Sequence, residues 1–407
     1  MGRGIFGEVY YKAITSQGLV AIKRMRIQAN ESAREHVEAA LAEVAVLERC
    51  ANHPHIVTLL DVAKKGSRMV LVFEIWGRDL EQSFRKVPER FSPERVRLIA
   101  KQTLIALDVL HNMGLIHADL KPENVLAVFD SDCASPSPSE PVHVKLADLG
   151  SCLVADPERR PHVKVEHSSG IFGYPALLAK SLEITTLAYR APEVVFGDES
   201  FGTPIDIWAL GVMVARFAGF AFTFTPDAER SEVGLREAWF RALGTPIGED
   251  LLCLRAFQLY PACTPMVAAG PFPRDVLAQL GHDGCAVLRS WLSWRAQSRL
   301  SVSEVLDASF FPPHAFDARS PCAGEGVRRL ANFCVHRRAP LLELRHWFCC
   351  ARSFERPVGR RCDSLPARCR HASLPGCRFV PRQEAPSPVS SSNVGRGDQV
   401  HNWWVVD

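Results

Sequence analysis

No apolar run in this sequence reaches about 18 residues, the shortest length expected of a membrane-spanning helix. The first residues, Met1-Gly2-Arg3-Gly4, also lack the apolar segment that a secretory signal needs. An excess of one charge is missing too, because 48 Lys and Arg face 45 Asp and Glu, for a formal net charge of +3. These absences argue against a membrane span and against nucleic-acid binding over the whole surface, so we expect a soluble intracellular protein.

Closely spaced cysteine pairs are missing from most of the chain. The first six of its 13 cysteines stand singly, as in a reducing compartment, which argues against a disulfide scaffold. The chain does have length and apolar content: 407 residues, 47% of them hydrophobic, can bury the cores of two lobes and leave room for extensions. The six single cysteines are Cys50, Cys133, Cys152, Cys253, Cys263 and Cys285.

Two kinds of periodicity divide the chain. Up to Glu74 the residues alternate as in β-strands, interrupted by one helix predicted from Ser32 to Arg49, whose apolar residues recur every three or four positions. From Pro93 the pattern turns helical, and the first long apolar stripe ends at Gly114. We therefore predict an α+β fold of two lobes, a small β-rich lobe with one helix and a larger, mainly α lobe. The predicted bounds are 1–76 for the first lobe, 77–315 for the second and 316–407 for an Arg- and Cys-rich, largely disordered tail.

An insertion interrupts the second lobe. Residues 130–141 are rich in Ser, Asp and Pro, and they lie between two short strand-like pieces, 125–128 and 142–146. We predict that the insertion is the exposed loop of a hairpin formed by those two strands.

The tail carries only weak signals. It holds pairs of arginines with few acidic residues, so RNA, DNA or an acidic protein could bind there, but solvated disorder is the preferred interpretation. Four possible metal ligands lack the paired C-x₂-C spacing of structural zinc sites, so no zinc site is predicted. These four residues are Cys362, Cys369, His371 and Cys377.

A glycine-rich stretch and a lysine suggest a nucleotide site. Residues 2–9 fit G-x-G-x-x-G-x-V, in which residues without a Cβ let backbone N–H groups close over phosphates, although such spacing also occurs in ordinary turns. Lys23 follows on a strand and could pair with the α- and β-phosphates, or it could be a solvated strand residue. Glu43 lies on the helix face that would turn toward Lys23, with Glu48 as the alternative ion-pair partner.

The run from His117 to Asn124 carries the most specific chemistry. Within it, Asp119 can accept the proton of a substrate hydroxyl, Lys121 can neutralise a transferring phosphoryl group, and Asn124 can hold Mg²⁺. Asp148 follows a strand, begins an Asp-Leu-Gly turn and supplies a carboxylate for a second metal ion. These residue types at these offsets predict phosphoryl transfer.

Further motifs extend this pattern to a family. With the Ala-Pro-Glu run at 191–193 and the apolar helix that begins at 206–211, residues 1 to about 312 resemble a eukaryotic protein kinase. Two other stretches narrow the resemblance. Residues 72–80 are similar to the hinge, and residues 240–246 to the insert, of the group that holds cyclin-dependent, mitogen-activated and dual-specificity Tyr-regulated kinases.

The resemblance implies an enzyme that uses ATP and Mg²⁺ to phosphorylate Ser or Thr in protein substrates. Lys121 and Thr186 fit serine/threonine rather than tyrosine specificity, and Arg190 implies a pocket for a proline after the phosphorylated residue. The resemblance also implies nucleotide contacts. At the phosphates it implies Gly2, Gly4, Gly7 and Lys23. At adenine it implies the backbone of Glu74 and Trp76, the apolar side chains of Val9, Ala21 and Leu126 on its two faces, and Phe73 at the back of the pocket.

Several departures from the family leave its subgroup and control open. The helix residues 37–43 lack the cyclin-binding signature, so a cyclin or other activator stays an open partner. Residues 117–119 and 148–151 lean equally toward the dual-specificity-like and splicing-factor-kinase-like branches. Because the glycine loop begins at Gly2, we expect a shortened first strand or a gene-start error. A scaffold that keeps the fold without catalysis is the alternative function.

Regulation by a loop phosphate is the remaining departure. Ile5-Phe6 replaces the Thr-Tyr pair that cyclin-dependent kinases phosphorylate, and Ala118 and Ala42 stand where the family places phosphate-binding arginines. A phosphate without a cationic cluster gains few charge-assisted hydrogen bonds. We therefore predict that Ser181, near the usual phosphorylated position, is not a strong activating switch.

The Ser181 prediction is tested by kinase assays on Ser181→Ala and Ser181→Asp. Both variants should keep activity within about threefold of the parent, because a phosphate at this position would gain little binding energy. A large loss in Ser181→Ala that Ser181→Asp restores would contradict the prediction.

Overall fold

A computed structural model describes the protein over most of residues 7–311. The described ranges are 7–15, 18–25, 33–65, 68–129, 142–155, 185–198, 200–257, 259–261, 266–306, 308–311 and 405–406. They group into two compact units. One unit holds the described residues within 1–27 and 59–75 together with 405–406, and the other holds those within 28–58 and 76–322. The insertion loop, Ser181 and the four possible zinc ligands of the tail lie outside the described residues.

The first unit is an antiparallel sheet with a small apolar core. Its strands are β1 (Gly7–Thr15), β2 (Gly18–Met25), β3 (Leu59–Lys65) and β4 (Arg68–Phe73). β2 lies between β1 and β4, and β3 pairs with the other edge of β4. A two-residue strand at Val405–Val406 pairs in parallel with β1. Val20 and Ile22, two residues apart on β2, are buried with Val70 of β4, as period-2 alternation requires.

The second unit is mainly helical. Its helices are α1 (Ala33–Arg49), α2 (Leu80–Lys86), α3 (Pro93–Asn112), α4 (Pro192–Val195), α5 (Pro204–Phe217), α6 (Pro226–Arg230), α7 (Glu232–Leu243), α8 (Gly248–Arg255), α9 (Arg274–Trp291) and α10 (Val302–Leu306). Its short strands are β5 (Arg78–Asp79), β6 (Leu115–Ile116), β7 (Val125–Phe129), β8 (Val142–Leu146) and β9 (Leu153–Val154). Among the described residues, no helix is both long and apolar enough to cross a membrane.

The predicted α+β class is confirmed, and so are the main elements. The helix expected from Ser32 to Arg49 is α1, and the apolar stripe that begins at Pro93 is α3, which has Ser92 as its N-cap. Strands β7 and β8 pair antiparallel, with Phe129 opposite Val142, so the two strand-like pieces beside the insertion do form a hairpin. Helix α5 is buried on nearly all sides, as expected of a helix that is apolar all round.

A close backbone approach fixes the start of the second unit. Gly77 has a φ of +20°, and a Cβ placed on it would lie 1.8 Å from the carbonyl oxygen of Ala127 in β7. Only glycine fits at that distance. Beside it, the ammonium of Lys145 in β8 lies 4.4 Å from the ring centroid of Trp76, a cation–π contact.

Replacing Gly77 with alanine should lower the free energy of unfolding by about 3 kcal/mol or more, because the new Cβ displaces β7. Gly114→Ala is the matched control. Gly114 also has a positive φ, +69°, but a Cβ there meets nothing within 4 Å, so only backbone strain of about 1 kcal/mol is expected. Equal losses for the two variants in urea unfolding would contradict the proposed clash.

A buried histidine joins the turn after α1 to β8. His55 is 3% exposed, and its Nδ1 lies 3.0 Å from the carbonyl oxygen of Val144. Because that oxygen can only accept, Nδ1 carries the proton of the neutral ring. Leu146 N–H donates to the His55 carbonyl at 2.8 Å, and Val57 N–H donates to the Leu146 carbonyl at 2.9 Å. Burial lowers the pKa of His55 from 6.5 to about 4, against the hydrogen bond to Val144, which acts in the opposite direction.

The lowered pKa of His55 makes the free energy of unfolding depend on pH. Between pH 6.5 and about 4 the unfolded chain binds a proton at His55 that the folded chain does not. The free energy of unfolding therefore decreases as the pH falls through that window. Its slope approaches about 1.4 kcal/mol per pH unit. His55→Asn keeps an N–H donor for Val144 and does not titrate, so its unfolding free energy should fall less steeply from pH 6.5 to 4.5. Equal slopes in urea titrations of variant and parent would contradict this.

Candidate active site

A buried carboxylate fixes the backbone of the loop that contains Asp119. Asp206 lies in the first turn of α5 and is 2% exposed. Its two oxygens accept the backbone N–H groups of His117 at 2.8 Å and Ala118 at 3.0 Å, and the Nε2 of His111 lies 2.9 Å from one of them. Two charge-assisted bonds to consecutive N–H groups hold Ala118 at a φ of +64°. The sequence identified Asp206 only as the start of a helix.

Three predicted residues meet in a ring of hydrogen bonds. Lys121 Nζ donates to Asp119 Oδ2 at 2.7 Å and to Thr186 Oγ1 at 2.8 Å. Thr186 donates its hydroxyl to Asp119 Oδ1 at 3.0 Å and its backbone N–H to the same oxygen at 3.2 Å. The side chains of Asp119 and Lys121 stay 17% and 21% exposed, so a substrate hydroxyl can reach the carboxylate.

The two predicted metal ligands are brought close by the backbone. The Asn124 amide donates to the Asp119 carbonyl at 2.7 Å and to Asp119 Oδ2 at 3.2 Å. The N–H of Ala147, next to Asp148, donates to the Asn124 carbonyl at 2.8 Å. An amide oxygen and a carboxylate are hard donors of the kind that Mg²⁺ takes, with water and phosphate completing its shell. No set of three His, Cys, Asp or Glu side chains forms a competing metal site in the described part of the chain.

The Asp-Leu-Gly turn packs against α1. Leu149 is 1% exposed, as expected of an apolar plug, and α1 contacts the turn at Leu149–Ser151. Glu43 of α1 is also 1% exposed, whereas Glu48 is half-buried. Lys23 belongs to the first unit, where it is 5% exposed and lies opposite Leu71 of β4. Neither Lys23 nor Glu43 lacks an interaction partner, and the Lys23–Glu43 ion pair stays a prediction.

The residues expected around adenine lie in both units. Ala21 pairs with Phe73 across β2 and β4, so two of them are neighbours in the first sheet. Leu126 pairs with Asp79 across β5 and β7, and Trp76 packs on Lys145, both within the second unit. Of the others, Glu74 is half-buried and Val9 lies on β1. Of the glycines expected at the phosphates, Gly7 also lies on β1, and Gly2 and Gly4 are outside the described residues.

The segment that follows Thr186 is tied down by its arginine. Arg190 Nε donates to the carbonyl of Thr185 at 3.2 Å, and its Nη1 donates to Glu232 at the start of α7 at 2.9 Å. Thr185 has a φ of +68°, which a β-branched residue rarely adopts. The sequence predicted a role for Arg190 but gave no signal for the backbone of Thr185.

Two ion pairs that the sequence analysis did not predict hold this segment and the helix that follows it. Arg299 donates to both oxygens of Glu193, at 2.6 Å and 2.8 Å, and both side chains are almost fully buried. Arg216 donates to both oxygens of Glu81 and to the Tyr189 hydroxyl at 3.3 Å. Burial alone would raise the pKa of Glu81, but hydrogen bonds from Arg216 and Arg85 lower it below its usual value.

Comparison with known proteins identifies similar sequences. Residues 1–311 match the family described as "Protein kinase domain". The sequence is also similar to "Cell division control protein 2 homolog 3" of Trypanosoma brucei brucei, with 28% identity over 319 residues, which cover 78% of this chain and 91% of that protein.

Proposed function

We propose that this chain, which belongs to the protein kinase family, transfers the γ-phosphoryl group of ATP to serine or threonine hydroxyls of other proteins, preferring sites followed by proline. The hydrogen-bond ring of Asp119, Lys121 and Thr186 carries the proposal. It holds a carboxylate that can take a hydroxyl proton beside a cation that can stabilise charge on the phosphoryl group. Catalysis would come mainly from this positioning and electrostatics.

Protein kinases use ATP and Mg²⁺, and the residues present suit both. Asn124 and Asp148 would hold Mg²⁺, which neutralises charge on the phosphates. Lys23 would bind the α- and β-phosphates, with Glu43 as its predicted partner. Asn124 has a second task, since its amide nitrogen also holds the backbone of Asp119.

The proline preference is supported by the bond between Arg190 and Thr185. Because Arg190 occupies the Thr185 carbonyl, that oxygen is a poor acceptor for the backbone N–H of a substrate residue. Proline has no N–H and loses nothing there, whereas the N–H of any other residue meets a carbonyl oxygen that Arg190 already occupies. We therefore expect proline after the phosphorylated Ser or Thr to be favoured.

We assign the chain to the cyclin-dependent-kinase-like group because of its hinge and insert motifs and its similarity to a cell division control protein 2 homolog. Both support a cyclin-dependent-kinase-like enzyme, for which we propose a location in the cytoplasm or nucleus. A cyclin is the first activator to test, because the sequence of α1 leaves its requirement open.

A catalytically weak scaffold is the second candidate, favoured by one observation. Ala118 stands where the family carries an arginine that receives the activating phosphate. Against it, the chain keeps Lys23, Asp119 and Asp148, the groups that catalysis needs and that noncatalytic relatives lose.

The enzyme proposal is tested with labelled ATP and peptides that carry Ser-Pro, Ser-Ala or Tyr-Pro, with and without a cyclin. We expect label on the Ser-Pro peptide first and little on Tyr-Pro. Asp119→Asn should lower kcat by about 100-fold or more, because the amide cannot accept the proton. Thr186→Ala should lower the rate, and Thr186→Ser, which keeps the hydroxyl, should retain most of it.

Two outcomes would contradict the proposal. No incorporation into any peptide, with or without cyclin, would favour the scaffold. Incorporation that persists in Asp119→Asn would mean that Asp119 is not the base.

A further inference from the structure

Two features of Thr185, next to the ring of Asp119, Lys121 and Thr186, cost conformational or hydrogen-bonding free energy. Its φ of +68° strains a β-branched residue by about 1 kcal/mol or more. Its Oγ1 is buried and has no hydrogen-bond partner among the described residues. An unpaired buried hydroxyl costs about 1–3 kcal/mol more. Native structures rarely keep strain and an unpaired polar atom on one residue unless a function requires them.

The neighbouring threonine differs in this respect. The Thr186 hydroxyl accepts from Lys121 and donates to Asp119, so its hydrogen-bonding capacity is used within the chain. At Thr185 the carbonyl is used by Arg190, and the hydroxyl has no partner among the described residues. The Thr185 hydroxyl is therefore the polar group of this pair that is left for another molecule.

The position of Thr185 restricts what that molecule is. Thr186 contacts Asp119, and consecutive Cα atoms are 3.8 Å apart, so Thr185 lies within one residue of the place where a substrate hydroxyl must dock. Resting on the proposed function, the 185–190 segment faces the substrate residue after the phosphorylated one. That residue brings a backbone N–H unless it is proline.

We infer that Thr185 Oγ1 accepts the backbone N–H of the substrate residue that follows the phosphorylated Ser or Thr. The hydroxyl thus substitutes for the carbonyl oxygen that Arg190 occupies. Thr185 is half-buried, and rotation about χ1 exchanges its hydroxyl with its methyl group, so the oxygen can turn toward the substrate. Thr185 is then a specificity-determining residue that reduces the loss of rate at sites without proline, while sites with proline stay preferred.

The test uses three Ser peptides that are identical except at the next residue, which is proline, alanine or N-methylalanine. N-methylalanine keeps the alanine side chain and removes the N–H. In the parent, kcat/KM for the alanine peptide should exceed that for the N-methylalanine peptide by about tenfold, the value of one hydrogen bond. Thr185→Val has the same shape and backbone strain without the hydroxyl, and should reduce this ratio to about 2 or less. Thr185→Ser keeps the hydroxyl and should keep the ratio within about twofold of the parent.

The ratio of kcat/KM for the alanine peptide to that for the N-methylalanine peptide distinguishes this inference from a purely structural role for Thr185 and from the proposed function. A structural defect would lower both rates and leave their ratio unchanged. A parent ratio near 1, or an equal ratio in Thr185→Val, would overturn the inference while activity on the proline peptide upholds the proposed function. No activity of the parent on any Ser peptide would overturn both.

Discussion

The Asp206 carboxylate is the contact on which the geometry of the site depends. It is buried at the start of a helix that is itself buried, and two backbone N–H groups and one imidazole compensate its charge. Removing any of these partners would leave a buried charge with too few hydrogen bonds. The loop backbone is thus held by the hydrophobic core through one side chain. Asp119, which follows directly, takes its place relative to the core from that link.

From Asp119 the same kind of bonding extends to residues 185–190, which we propose face the substrate. Thr186 is held by Asp119 and Lys121, Thr185 by Arg190, and Arg190 by Glu232 of α7. Each link is a charged group bonded to a neutral or opposite group, which favours one arrangement over many. The 185–190 segment therefore depends on several elements at once, although it contains little regular structure of its own.

The sequence could predict that the proposed catalytic groups lie together, because they stand at short, fixed offsets. Asp119, Lys121 and Asn124 occupy one run of residues, and period-3.6 and period-2 patterns located α1, α3 and the β7–β8 hairpin. The supports could not be predicted in the same way. Asp206 is 89 residues from His117, and Glu193 is 106 from Arg299, so only the folded chain reveals these partners. A positive φ, such as that of Thr185, cannot be recognised from the sequence when the residue is not glycine.

Ala118 explains why catalysis and control can be separated in this loop. Its backbone N–H bonds to Asp206 and its φ is +64°, a conformation that costs a non-glycine residue about 1 kcal/mol. The hydrogen bond that holds this strained residue comes from its backbone, and its methyl group is buried. An arginine at this position would serve only to bind something else, such as a phosphate on a neighbouring loop. With alanine here Asp119 keeps its place through the backbone bond of Ala118 to Asp206, and a phosphate on a neighbouring loop would lack this one cationic partner.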